Sequence, residues 1–179
     1  TSNSDTESGS SPSTPSSDDH ILSPSQVSQR FLDFENLEDT VGDKVKKLLM
    51  KAKYALKYRK GQEKVNHFLL KAMAYAKEHQ REDLYPSIYI RLGHARHTGD
   101  EHTSNSYWYL RAFHLLGEHS DVTLRAQALI GLGHTRHTDD EHRHDTDWYL
   151  DAIDLLSEHG DVTLRAQALI GLGNARHTD

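Results

Sequence analysis

Histidine is the residue in this chain whose abundance and spacing invite chemistry. There are fourteen among 179 residues, and no cysteine. His94 and His97, and again His134 and His137, are three apart, a separation that puts both rings on one face of a helix. His142 and His144 follow among Asp139, Asp140 and Glu141. Imidazole nitrogen beside carboxylate suits zinc, nickel or copper, so one reading is a His-rich transition-metal binder. The other needs no metal. A repeated unit copies its histidines with it, and these then contact a ligand or titrate near their ordinary pKa of about 6.5. We take the second, and assign neither a metal set nor a cofactor.

Nothing else points to catalysis. No thiol nucleophile exists, and neither a Gly-rich phosphate loop nor a Gly-x-Ser-x-Gly or His-Glu-x-x-His motif is present. The paired carboxylates sit at cap and turn positions, so the sequence predicts a protein that is not an enzyme. A different chemistry marks the first 29 residues, which hold eleven serines and three of the four prolines. Ser11-Pro12, Thr14-Pro15 and Ser23-Pro24 match proline-directed phosphorylation, making Ser11, Thr14 and Ser23 candidate acceptors. Ser4 to Glu7 and Ser16 to Asp19 suit acid-directed kinases. So polar a stretch buries too little apolar surface to offset the entropy of ordering, and disorder is expected over 1–29.

The elements that must position these residues repeat every 40 positions. Asp121 to Gly133 reads DVTLRAQALIGLG, and Asp161 to Gly173 reads the same thirteen residues. Arg81 to Ser120 matches Asp121 to Gly160 at 19 of 40 positions without a gap. Val41 to Gln80 fits the frame more loosely, with Phe68 where Trp108 and Trp148 stand. The expected organisation is a tail at 1–29, a linker or capping segment at 30–40 and an array at 41–179. Its units are 41–80, 81–120, 121–160 and a truncated 161–179. A period of this length means stacked supersecondary units, each burying an apolar face on its neighbours. An array normally closes on a polar capping segment, so further repeats are expected after Asp179.

Each unit reads as two helices. Leu124, Ala128 and Leu132 recur at four-residue steps, and Trp148, Tyr149, Ala152, Ile153, Leu155 and Leu156 form a second stripe. Thr98 to Glu101 and Thr138 to Glu141 have the Thr-x-x-Glu form of a capping box, which would start the second helix near Gly99 and Asp139. Ser120-Asp121 and Gly160-Asp161 suit a helix stop followed by a cap. Gly131 and Gly133 lie inside the first helix, where each costs about 1 kcal/mol relative to Ala. Gly133 recurs as Gly93 and Gly173, which predicts close approach of the paired helix.

These residues resemble the tetratricopeptide repeat in its 40-residue form, as in Pins-type spindle-orientation adaptors and kinesin light chains. Leu92-Gly93, Leu132-Gly133 and Leu172-Gly173 match its Leu-Gly pair, and Asn174 completes Leu-Gly-Asn. Tyr109 and Tyr149 match its second-helix aromatic, and Ala72, Ala112 and Ala152 its small residue. Arg96, Arg136 and Arg176 depart from it, standing where the family carries an aromatic. The resemblance implies an all-α fold of helix-turn-helix repeats stacked as an α-solenoid. It also implies a scaffold that binds a peptide or helix of another protein along its first helices. Carried over by position, the groove would show Met50, Tyr54 and Lys57, then Ile90, His94 and His97. Ile130, His134 and His137 follow, then Ile170, Asn174 and His177.

The alternatives are the His-rich metal binder, and the sensor or oligomerisation region of a larger signalling or transcription regulator. The net charge of -6 argues against direct nucleic-acid binding, despite nine Lys and Arg against two acids between Asp43 and Lys64. No apolar run is long enough to cross a membrane. Absence of cysteine and of a secretory signal favours an intracellular, cytoplasmic rather than nuclear setting. The repeat ends offer surfaces for self-association.

Overall fold

The computed structural model describes residues 23–26, 39–96, 106–118, 121–138 and 144–177. The chain divides into two compact units, Thr1–Glu38 and Asp39–Asp179. In the first, residues 24–26 form one helical turn, where the Gln26 amide donates to Ser23 Oγ at 3.3 Å. The candidate acceptors Ser11 and Thr14 lie outside the described residues.

The second unit is all-helical among its described residues. Its helices are α1 (Thr40–Lys57), α2 (Gln62–Glu78), α3 (Tyr85–His94), α4 (Tyr107–Leu115), α5 (Val122–His134), α6 (Asp145–His159) and α7 (Val162–Arg176). A single 3-10 turn, Glu82–Leu84, leads into α3. Amphipathic spacing explains each helix. In α1, Val45, Leu48, Ala52 and Ala55 recur on one face and are all buried. Val65, Leu69, Ala72, Met73 and Ala76 do the same in α2. Helices pair as α1 with α2, α3 with α4 and α5 with α6. First helices also touch one another in series, α1 to α3, α3 to α5 and α5 to α7.

The helix ends are built from side chains and from left-handed backbone. Asp121 and Asp161 cap α5 and α7, accepting from the Leu124 and Leu164 amides at 3.1 and 3.0 Å. Asp39 caps α1, accepting from the Gly42 amide at 2.9 Å. Its carboxylate also receives both arms of Arg81, at 2.7 and 3.0 Å, which ties the start of α1 to the turn before α3. Gly160 ends α6 at φ 76, as a glycine can. Arg96 and Arg136 end α3 and α5 at φ 50 and 52.

The Thr-x-x-Glu boxes place the expected second-helix starts near Gly99 and Asp139. Residues 98–101 and 139–141 lie outside the described residues, and α4 is described from Tyr107 and α6 from Asp145. The start of α6 is held locally. His144 is extended, at φ -136 and ψ 153, and its amide donates to Asp147 Oδ2 at 3.3 Å. Trp148 Nε1 donates to the His137 carbonyl at 2.7 Å, pinning the connection to its helix.

Candidate functional site

Each of two second helices puts one tyrosine ring between two first helices. Tyr109 of α4 lies over Gly93 and Gly131, where a Cβ would stand 2.7 and 2.4 Å from the ring. Tyr149 of α6 lies over Gly133 and Gly171, with distances of 2.7 and 2.3 Å. Real Cβ atoms do not approach so closely, so both rings require glycine on both sides. Gly93 and Gly133 thus meet the paired helix as the sequence predicts. Gly131 and Gly171 meet the ring from the preceding unit. Gly173 differs: a Cβ there would meet nothing within 4 Å.

The pattern breaks in three places at once, two in the first repeat and one in the second. Forty residues before Tyr109 stands Leu69, and at the positions of Gly93 and Gly131 stand Lys53 and Arg91. Leucine fills less of the space than a tyrosine ring, and the glycines give way to long side chains. A groove of about 540 Å³ lies there, with Leu69 in its wall. It runs past Lys53 and Lys57 of α1, Arg91 and His94 of α3, Gln127 and His134 of α5 and Gln167 of α7. Among the described residues no carboxylate lines it.

The groove is electrically one-sided. Arg91 is half-buried, and no carboxylate pairs with it among the described residues. Burial lowers its pKa, yet a guanidinium keeps its proton. His94 is held down to about 4, first by burial and then by the charges of Arg91, His134 and Lys53. Its outer edge remains in solvent. Burial lowers His134 as well. A neutral imidazole at pH 7 offers one donor and one acceptor, which suits the backbone of an extended ligand. His94 and His134 pack on the tyrosines, with ring centroids 5.8 and 5.6 Å from Tyr109 and Tyr149.

Of the residues expected to form a groove, Lys57, His94, Ile130 and His134 line this one. Two rungs of the expected isoleucine ladder are nearly closed off, although Ile130 still touches the groove. Ile90 and Ile130 are only 1% and 4% exposed, because successive first helices close over them. Ile170 is exposed and borders a smaller hollow of about 220 Å³ with Asn174 and His134. Met50 and Tyr54 are exposed but stand outside the groove wall, Tyr54 against Tyr58 at 4.3 Å between centroids. His137 is half-buried and engaged in structure, its Nδ1 2.9 Å from Ser106 Oγ. His177 is exposed at the C-cap of α7, and His97 lies outside the described residues.

The sequence reading missed Lys53, Arg91, Gln127 and Gln167. The paired change of Tyr to Leu69 and of Gly to Lys53 and Arg91 was the signal available for the first two. Among the described residues no group of three or more His, Asp or Glu could hold a metal ion. His102 and His142 lie outside that set. No described helix is long and apolar enough to cross a membrane. Comparison with family models, with curated proteins and with solved structures returns no match for this chain.

Proposed function

We propose that residues 39–177 form a tetratricopeptide-like α-solenoid that acts as a scaffold, holding an extended acidic segment of another protein in the groove of its first helices. One observation carries the reading: among the described residues the half-buried Arg91 guanidinium has no carboxylate partner, and it stands with Lys53 and Lys57 in a groove that no described acid lines. A desolvated cation without a counter-charge is unfavourable, and an incoming carboxylate relieves it. The charge is local, since the chain as a whole carries -6. Gln127, Gln167, His94 and His134 then serve the ligand backbone, the division of labour expected when a groove receives an extended peptide. This places the resemblance and the groove in one account: first helices in series, second helices behind them.

The test is selection from a displayed peptide library on the full chain, followed by anisotropy titration of the enriched peptides. Acidic peptides should be enriched, and Lys53→Ala with Arg91→Ala should weaken them at least about tenfold, or about 1.4 kcal/mol. Replacing His94, His134 and Asn174 together by Ala should weaken them further while leaving the helical circular dichroism intact. Rising salt should weaken binding, because ion pairs at a groove rim are screened. Enrichment of apolar or basic peptides, or binding indifferent to Lys53 and Arg91, would overturn the reading.

A further inference from the structure

Lys53 and Arg91 take the places that glycines hold around the next seat, forty residues before Gly93 and Gly131. Those two glycines flank one ring, since a Cβ at each would come within 2.7 and 2.4 Å of Tyr109. The repeat therefore starts Lys53 and Arg91 from neighbouring first helices, on either side of a space that a phenol ring fills one unit later. Leu69 fills less of it, and both cations line the opening that results. His94 lines it too, three residues after Arg91 on the same face of α3, as does His134 at the equivalent position of α5. His94 feels the charges of Arg91, His134 and Lys53 together, so basic groups from three helices act on one imidazole. Lys57 stands a turn further along α1, with Nζ 5.5 Å from the centre of the Tyr58 ring. The charge of Lys53 and Arg91 is gathered at one point rather than strung along the groove.

We propose that this focus of charge seats one doubly charged anion, the phosphate group of a phosphoserine or phosphothreonine within the bound segment. The proposal rests on reading the groove as the holder of an acidic segment, and it names the anchor of that segment. A carboxylate relieves the charge only in part. Lys53 and Arg91 bring two permanent positive charges and a carboxylate returns one, whereas a phosphomonoester carries about -1.5 to -2 at pH 7. A row of carboxylates does not make up the difference at one point. Side chains on one face of an extended strand are about 7 Å apart, two residues at about 3.4 Å each. The oxygen count agrees. A phosphate presents three acceptor oxygens, enough for the Arg91 fork, the Lys53 ammonium and a neutral imidazole N–H, and a carboxylate has two. The rest of the groove suits a chain rather than a free anion. Leu56, Val65, Ile130 and Leu164 give it an apolar wall, and its volume of about 540 Å³ is more than one phosphate fills.

The probes are three fluorescent peptide pools with the same randomised flanks of neutral residues and aspartate, carrying serine, glutamate or phosphoserine at the centre. Anisotropy is read against the full chain at about pH 7.5, where the phosphate is a dianion. The phosphoserine pool should bind at least about tenfold more tightly than the glutamate pool, with serine weakest. In Lys53→Ala with Arg91→Ala that preference should shrink to about twofold or less, with the helical circular dichroism unchanged. Leu69→Tyr with Lys53→Gly and Arg91→Gly refills the seat as the next unit does, and should lose the preference as well. Equal binding of the phosphoserine and glutamate pools, lost for both in the double variant, would overturn this proposal and leave the acidic-segment reading standing. No binding by either pool up to about 1 mM would overturn both. A phosphoserine preference that survives in the double variant would put the phosphate elsewhere and sink the assignment. Displacement of the phosphoserine pool by inorganic phosphate at concentrations near the pool's own Kd would give the seat to a free phosphate and overturn the peptide.

Discussion

Two glycines in one helix offer a test of the tyrosine-seat argument that carries its own control. Gly171 and Gly173 both lie in α7, two residues apart, and each is replaced by Ala. The gain in helix propensity is the same for both, about 0.8–1 kcal/mol. What differs is the neighbour. A Cβ at Gly173 meets nothing within 4 Å, so Gly173→Ala should stabilise by most of that gain. A Cβ at Gly171 would stand 2.3 Å from Tyr149 Cε1. Ordinary contact begins about 1 Å further out, and the ring has nowhere to go, because Gly133 closes on its other face. Overpacking of this kind costs about 1–3 kcal/mol, which cancels or exceeds the propensity gain.

The two variants should therefore differ by about 1–3 kcal/mol, with Gly173→Ala the more stable. Urea unfolding followed by far-ultraviolet circular dichroism reads the difference as separated midpoints. Trp148 is fully buried in α6, so its fluorescence reports whether the Tyr149 region loosens first. Gly131→Ala should follow Gly171→Ala, since a Cβ there would stand 2.4 Å from Tyr109. Equal shifts of the same sign at 171 and 173 would refute the seat and leave the glycines as an accident of copying.

Three further outcomes follow from the same geometry. His94 has its pKa lowered to about 4 in the folded state, so the unfolded chain binds more protons below its ordinary value of about 6.5, and stability should fall as pH drops through that window; His94→Asn should flatten the urea midpoint against pH, and an unchanged slope would clear His94 of the effect. Leu69→Tyr should destabilise alone by about 1–3 kcal/mol, because its ring would meet Lys53 and Arg91, and should regain stability when both become glycine; failure of that rescue in thermal melts would break the equivalence of Leu69 with Tyr109. Asp39→Asn should speed amide exchange across the first turn of α1, since it removes the charge that Arg81 holds well below the usual carboxylate range; exchange as slow as in the parent would show the fork to be ornamental.

The repeat, the two helices per unit and the Asp121 and Asp161 caps were legible in the sequence, because each rests on interactions within a few residues. The Gly133 contact was legible because its partner is the next helix along. What failed was anything decided by which neighbour covers a face. Ile90 and Ile130 have the spacing of a surface ladder, and only the contact between successive first helices turns them inward. At the start of α6, the Trp148 indole bonds to the His137 carbonyl across eleven residues, a contact that no local rule gives. A local signal loses where a buried side chain fixes the backbone from a distance.

On the proposed reading, the position filled by Tyr109, Tyr149 and Leu69 links stability to recognition. With tyrosine and two glycines, the space between first helices is filled by a ring, and no side chain from those positions projects outward. With leucine, the same positions carry Lys53 and Arg91, and the filled seat becomes a lined groove. As a packing choice this is the poorer one. It exchanges a close-packed aromatic for a half-buried cation with no carboxylate partner among the described residues, and that cation adds to burial in depressing the neighbouring His94. Departures from local packing logic gather where a protein meets its ligand, since an unmet charge is worth more to a binding equilibrium than to folding. On the proposed reading, the seat that departs from the pattern, Leu69 with Lys53 and Arg91, is therefore the one whose side chains are best placed to recognise an anion.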